Sequence, residues 1–256
     1  MTLFKSCLAL LLCCLTSAAF SGDVLNNSAS KTKAKKTVPA MEISTLTDGV
    51  FLHKSYYQTD DFGLVSSNGL LVVDGKQATI VDTPWSESDT ALLLQWAKKR
   101  GLNVVASIST HSHDDRTVGI RLLNEKGIAT YASVETNQIL AEQNKATATH
   151  TFPQSEFTLG NNFIEVFYPG GGHTKDNVVV WLPGSQLLLG GCFVRADKDT
   201  SLGYVGEAMI KEWPHSAEKL IAKYPNAKIV VPGHGKVGGA ELLLHTKKLA
   251  LEANQN

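Results

Sequence analysis

Residues 103–126 read NVVASISTHSHDDRTVGIRLLNEK, and the chain changes character twice within them. Asn103–Ser109 is rich in β-branched residues and reads as a strand, whereas Thr117–Lys126 carries the longer period of a helix. Between them lies Thr110-His111-Ser112-His113-Asp114-Asp115-Arg116. In an extended segment residues two apart share a face, so His111, His113 and Asp115 are expected to point into one cleft. Neutral imidazole and carboxylate are zinc ligands, and strand-end loops are where α/β proteins place such groups. The competing reading is an incidental polar loop; two alternating histidines followed by a carboxylate weigh against it.

Upstream of this segment, Val50–Tyr57, Gly63–Val73 and Gln77–Asp82 read as an antiparallel meander with turns at Ser67-Asn68-Gly69 and Asp74-Gly75-Lys76. Ser86 is placed to cap a helix running to about Arg100. Downstream, a short strand at Ala129–Ala132 precedes another helix. Strands follow near Glu156–Leu159, Asn162–Phe167, Asn177–Leu182 and Gln186–Gly190, then a helix over about Glu212–Tyr224, a strand at Ala227–Val231 and a last helix from Gly239. Strands first and helices later, twice over, predict an α/β fold of two similar halves packed sheet to sheet with helices outside. Residues 41–256 are expected to form a single domain.

The 256 residues are 43% hydrophobic, enough for a large core. Lys+Arg and Asp+Glu balance at 24 each, so the basic footprint of a nucleic-acid binder is absent and no such partner is expected. Lys5, the apolar run Cys7–Leu15 and the small residues Ser17, Ala18, Ala19 and Ser21 have the order of a secretory signal peptide over residues 1–21. That run is too short to span a bilayer, and Leu10, Leu11 and Leu12 before Cys13 do not suit a lipoprotein signal. Residues 22–40 are polar and Lys-rich, a flexible lead-in. Removing residues 1–21 would leave Cys192 as the one thiol, a liability in an oxidising compartment unless buried or held as a metal-bound thiolate.

Three further candidates stand beside glycines at the ends of later strands: His173 after Gly170-Gly171-Gly172, Cys192 after Gly190-Gly191, and His234 between Gly233 and Gly235. Glycine lets backbone approach closely there and leaves the neighbouring side chain facing a ligand. Each alone is weak. With the central segment they supply four imidazoles, a carboxylate and a thiolate, the number two metal sites with open positions need.

The ordered set HSHDD, GGGH, GGC and PGHG resembles the class B metallo-β-lactamases of the first subclass, and the likeness runs from Met41 to the C-terminus. IEVFYPG (164–170), DNVVVWLP (176–183) and GGCF (190–193) are similar to imipenem-hydrolysing members. The resemblance implies a four-layer αβ/βα sandwich with its site at one edge. It also implies two Zn2+, one held by His111, His113 and His173 and the other by Asp115, Cys192 and His234. The implied reaction is hydrolysis of the β-lactam amide of penicillins, cephalosporins and carbapenems, in the periplasm, by a monomer with no stable membrane association. Zinc lowers the pKa of bound water towards about 7, and Asp115 is the residue implied to orient that nucleophile. Arg195 matches the basic position that binds the substrate carboxylate, and Tyr57–Gly63 resembles the mobile hairpin over the substrate, with Phe62 as its apolar contact. The family's asparagine in the loop after the cysteine is missing; Leu202-Gly203-Tyr204-Val205-Gly206 stands there, with Tyr204 as the candidate hydrogen-bond donor. Asp82 and Arg116 are candidates for orienting the ligands, with simple salt bridging as the alternative.

Rival readings are a thioester, lactone or phosphodiester hydrolase of the same superfamily, or a non-catalytic periplasmic zinc-binding protein. The former typically place a histidine directly after the motif aspartate, where this chain has Arg116. Gly233–Gly238 fits a dinucleotide fingerprint, but no second parallel strand or ribose-binding acid follows it. Ser216–Lys219 and Ser28–Lys31 match Ser-x-x-Lys without the companion motifs of serine β-lactamases.

Overall fold

A computed structural model describes residues 37–160 and 163–255; the expected signal peptide and most of the lead-in lie outside them. Four antiparallel strands come first: β1 (Glu42–Thr47), β2 (Val50–Thr59), β3 (Gly63–Asp74) and β4 (Gln77–Val81). Helix α1 (Glu87–Lys99) then starts on Ser86, whose side chain accepts a hydrogen bond from the Asp89 amide at 3.0 Å. From there strands and helices alternate: β5 (Asn103–Ile108), α2 (Asp114–Thr117), α3 (Ile120–Glu125), β6 (Ala129–Ser133), α4 (Val134–Glu142) and β7 (His150–Phe152). The crossovers make β4 to β7 parallel, so one seven-stranded sheet runs in sequence order.

The second sheet orders β12-β11-β10-β9-β8 from β8 (Glu156–Leu159), β9 (Ile164–Phe167), β10 (Val179–Leu182), β11 (Leu187–Gly191) and β12 (Ile229–Pro232). Helices α5 (Trp213–Lys223) and α6 (Glu241–Ala253) belong to this half.

Alternation along each strand decides the layering. Leu70 and Val72 of β3 join Val180, Leu187, Leu189 and Val231 in the core between the sheets. Leu71 of the same strand faces the other way, into a cluster with Ile80, Leu93, Ala97 and Leu123 under α1 and α3. Val179, Leu188 and Val230 pack outward on Trp213, Leu220, Leu242 and Leu243 of α5 and α6. Helices, sheet, sheet and helices therefore stack in four layers, as expected.

Four details differ from the sequence reading. Ser67-Asn68-Gly69 is not a turn but the middle of β3, since the β2–β3 ladder runs unbroken from Val50↔Val72 to Thr59↔Gly63. Gly69 is needed there because a Cβ would lie 2.4 Å from the His53 ring, and Asn68 uses its amide to reach across to the carbonyls of Pro232 and Gly235. The helix expected over Thr117–Lys126 instead begins at Asp114 and breaks at Val118-Gly119, where the Gly119 amide donates to Thr83 Oγ1 at 3.0 Å. Asn177 and Val178 precede their strand, because the Asn177 side chain accepts from the Thr174 amide and donates to the Gly170 carbonyl, closing a turn. Strands β1 and β7 at the sheet edges lacked a clear pattern in the sequence.

Candidate metal centre and substrate cleft

The side chains singled out in the sequence follow the ends of β5, β9, β11 and β12, so strand pairing delivers them to one edge of the sandwich. His111 and His113 stand in the loop between β5 and α2, His113 in extended backbone as the N-cap, but Asp115 sits in the first turn of α2. It reaches the same cleft by a helical turn rather than by strand alternation. One nitrogen from each of His111, His113 and His173 lies within 4.8 Å of the others. His113 Nδ1 and His173 Nε2 are 3.1 Å apart, and His111 Nε2 is buried with no hydrogen-bond partner. Beside this triangle is a second: Cys192 Sγ stands 3.1 Å from His234 Nε2 and 3.5 Å from Asp115 Oδ2, and the last two are 3.4 Å apart.

Donors about 2.0–2.3 Å from a tetrahedral zinc are separated by about 3.3–3.8 Å. The edges of the second triangle, 3.1–3.5 Å, lie within or just below that range, and the gathered imidazoles of the first, with the orphaned nitrogen of His111, suit the same chemistry. Electrostatics agree. Burial, then repulsion by His113, holds His111 and His173 well below the usual imidazole range, with His173 adding to the effect on His111, and burial also lowers His234. Neutral rings are what a metal needs. Burial alone would raise Asp115, but the Arg116 guanidinium and the nearby imidazoles outweigh it and hold its carboxyl down at about 2. Burial pushes the Cys192 thiol up, with Arg116 opposing.

Arg116 is wholly buried and ties the cleft floor together. Its Nη2 lies 2.8 Å from Asp115 Oδ2 and donates to Cys192 Sγ at 3.1 Å and the Gly233 carbonyl at 3.0 Å. Its Nη1 donates to the Asn68 carbonyl and, at 3.2 Å, to Asp82 Oδ2. Asp82, at a left-handed φ of 60°, accepts from the Thr110 amide at 2.7 Å and so anchors the residue before His111. Burial raises the Asp82 carboxyl to about 6. Both residues thus contact the donor set or its backbone directly, beyond simple salt bridging.

Two positioning groups escaped the sequence reading. Asp176 Oδ2 accepts from the Ser112 amide at 2.9 Å and from Thr136 Oγ1 at 2.8 Å, pinning the loop between His111 and His113. Glu207 accepts from His113 Nε2 at 2.8 Å, leaving Nδ1 for the triangle. Asp176 lies in DNVVV beside a Gly-rich histidine, a usable signal; Glu207 stands in an irregular loop with none.

Above the donors opens a cavity of about 760 Å³. The β2–β3 hairpin tip walls one side with exposed Phe62, and Tyr57 stacks on Trp85 at 5.3 Å between ring centroids. Tyr204 lines the cavity too, its ring 5.8 Å from that of His113. Arg195 is not among the lining side chains: its Nη2 is 2.8 Å from Asp199 Oδ2 and its fork packs on Gly203. Its charge still reaches the centre, helping to lower His173 and His234.

Residues 62–234 match the metallo-beta-lactamase superfamily. The chain is 43% identical to a metallo-beta-lactamase type 2 of Pseudomonas aeruginosa, over 87% of this chain and 89% of that one. A second metallo-beta-lactamase type 2, of Bacteroides fragilis, is 36% identical over 85% and 88%. Among solved structures, TMB-1 is 55% identical with a TM-score of 0.84, covering 85% of this chain and all of the other. The metallo-beta-lactamase DIM-1 is 52% identical, with a TM-score of 0.82 over 85% and 100%. With its layers, its edge site and these relatives agreeing, the chain belongs to the metallo-beta-lactamase superfamily.

Proposed function

We infer that this protein is a zinc-dependent hydrolase of the β-lactam amide bond, acting on penicillins, cephalosporins and carbapenems. The observation that carries the reading is the pair of adjoining donor triangles beneath an open, partly aromatic cavity. His111, His113 and His173 would hold one Zn2+, and Asp115, Cys192 and His234 a second. Zinc bound there acts as a Lewis acid and brings the pKa of water towards about 7.

The chain's own residues then bind and orient. Asp115, kept ionised by Arg116, accepts a hydrogen bond from the attacking water and aims it at the lactam carbonyl. Phe62, Tyr57 and Trp85 cover the substrate with apolar surface and exclude water. Tyr204 is the hydroxyl available to the carbonyl oxygen where relatives use asparagine. Arg195 stands back from the cavity lining, its Nη2 bonded to Asp199; on the family resemblance it is the group that would serve the ring carboxylate, by turning a free fork donor into the cleft. A periplasmic monomer, exported by residues 1–21, fits this role; among the described residues no helix is long and apolar enough to cross a membrane.

Chelation with dipicolinate should abolish imipenem hydrolysis, and two equivalents of zinc should restore it, with the second equivalent lost in Cys192→Ser. Full activity in metal-free protein would overturn the reading. Thioester or lactone turnover without β-lactam turnover would favour the rival hydrolase.

A further inference from the structure

The cavity extends beyond the donors to a part of the molecule that the reaction does not use. Asp114, between His113 and Asp115 in sequence, turns its carboxylate away to Lys145, with Oδ1 2.7 Å from Nζ. Lys145 stands just past the C-terminus of α4, its amide donating to the Leu140 carbonyl and the preceding Asn144 at a left-handed φ of 56°. That turn aims Lys145 at the cleft, where it is the only lysine or arginine lining the main cavity among the described residues.

Beyond the Asp114–Lys145 pair lies an annex of about 170 Å³, sharing Glu87, Asp114, Val118 and Lys145 with the main cavity. Its other lining residues are Thr117, Arg121 and Ala146. Arg121 lines the annex but not the main cavity, and its charge is matched by two carboxylates, Glu87 and Glu125, at 2.6 and 3.0 Å. An ammonium carries three donors. Lys145 spends one on Asp114 and keeps the others for a ligand.

We propose that this annex is a subsite for the acyl side chain of the substrate and that Lys145 selects side chains bearing a carboxylate. The inference rests on the hydrolase reading above and adds a substrate class to it. The chemistry of the substrate sets the direction. In a bicyclic β-lactam the ring carboxylate lies beside the lactam nitrogen, whereas the acyl side chain leaves from the carbon next to the carbonyl, on the other side of the ring. Arg195 and Tyr204 belong to the loop after β11, in the second half of the fold; Lys145 and Asp114 come from the first. A substrate with its ring carboxylate on the former presents its side chain to the latter. The floor formed by Val118 and Ala146 accepts carbon, and Lys145 at the rim accepts the anion.

Benzylpenicillin and α-carboxybenzylpenicillin differ by a single side-chain carboxylate and make a matched pair of probes. The ratio of their kcat/KM values, carboxylated over plain, should fall about threefold to tenfold in zinc-loaded Lys145→Gln, mainly through KM, as for one partly exposed charge contact. In Asp114→Asn, where Lys145 loses its competitor, the ratio should rise about twofold. Hydrolysis of both penicillins with an unchanged ratio in Lys145→Gln overturns the subsite alone. Absence of turnover of either penicillin by the zinc-loaded wild type overturns the hydrolase reading and the subsite with it.

Discussion

Two regions of this sandwich are equally buried and built from opposite materials. Between the sheets, Leu70, Val180, Leu187 and Leu189 are fully enclosed and wholly apolar. At the edge, Asp82, His111 and Arg116 are just as enclosed, and every one is polar or charged. Burying apolar area stabilises by about 25 cal/mol per Å². Burying charge costs several kcal/mol per ion unless each is paired and hydrogen-bonded. The difference teaches that the edge is carried by the core: its residues are kept for what they hold in place, with Arg116 shared among Asp82, Asp115 and Cys192.

The largest effect should come from breaking the shared group. Arg116→Met leaves two carboxylates and a thiol facing one another without a cation. Unfolding in denaturant should show a loss of about 3–5 kcal/mol, together with weaker metal retention. A smaller loss would mean that the edge tolerates unpaired charge and that the contrast is overstated. Leu189→Ala in the core should cost about 3 kcal/mol through its cavity. Its kcat/KM per folded molecule should stay within about twofold, because nothing at the edge moves. A deep activity loss would show that the two regions are not separable.

The smallest effect tests the boundary between them. His53, between the core strand β2 and the Asp82 backbone, is held at about 3 chiefly by burial, with the Asp82 carbonyl opposing and Arg116 adding to it. The unfolded chain takes up this proton below about 6.5 and the folded one only near 3, so stability falls as pH drops through that window. Each unit is worth up to about 1.4 kcal/mol. Between pH 7 and pH 5 the zinc-loaded protein should lose about 2 kcal/mol on this account, and His53→Gln should lose correspondingly less. Equal slopes in both proteins would remove His53 from the acid response.

The sequence disclosed the layers because apolar alternation survives in single strands: Leu70-Leu71-Val72 alone addresses two cores. It disclosed the six candidate donors because His111, His113 and Asp115 crowd a single strand end while His173, Cys192 and His234 stand beside glycines at the ends of others. The break at Gly119 was hidden because it depends on Thr83, 36 residues away. Asn68 looked like a turn residue because Asn-Gly usually is one, yet its partners are Pro232 and Gly235 in the other sheet. Glu207 and Asp176 act through contacts 94 and 64 residues distant, which no local pattern encodes.

Each donor triangle draws on both halves of the chain: His173 follows a strand of the second sheet while His111 and His113 leave the first, and Asp115 meets Cys192 and His234 across the same seam. An ion seated in either triangle is therefore a rivet, closing a loop of some sixty to a hundred and twenty residues that the unfolded chain leaves open. Because such an ion would favour the folded form by mass action, its supply would bear on the persistence of the fold as well as on the chemistry at the edge.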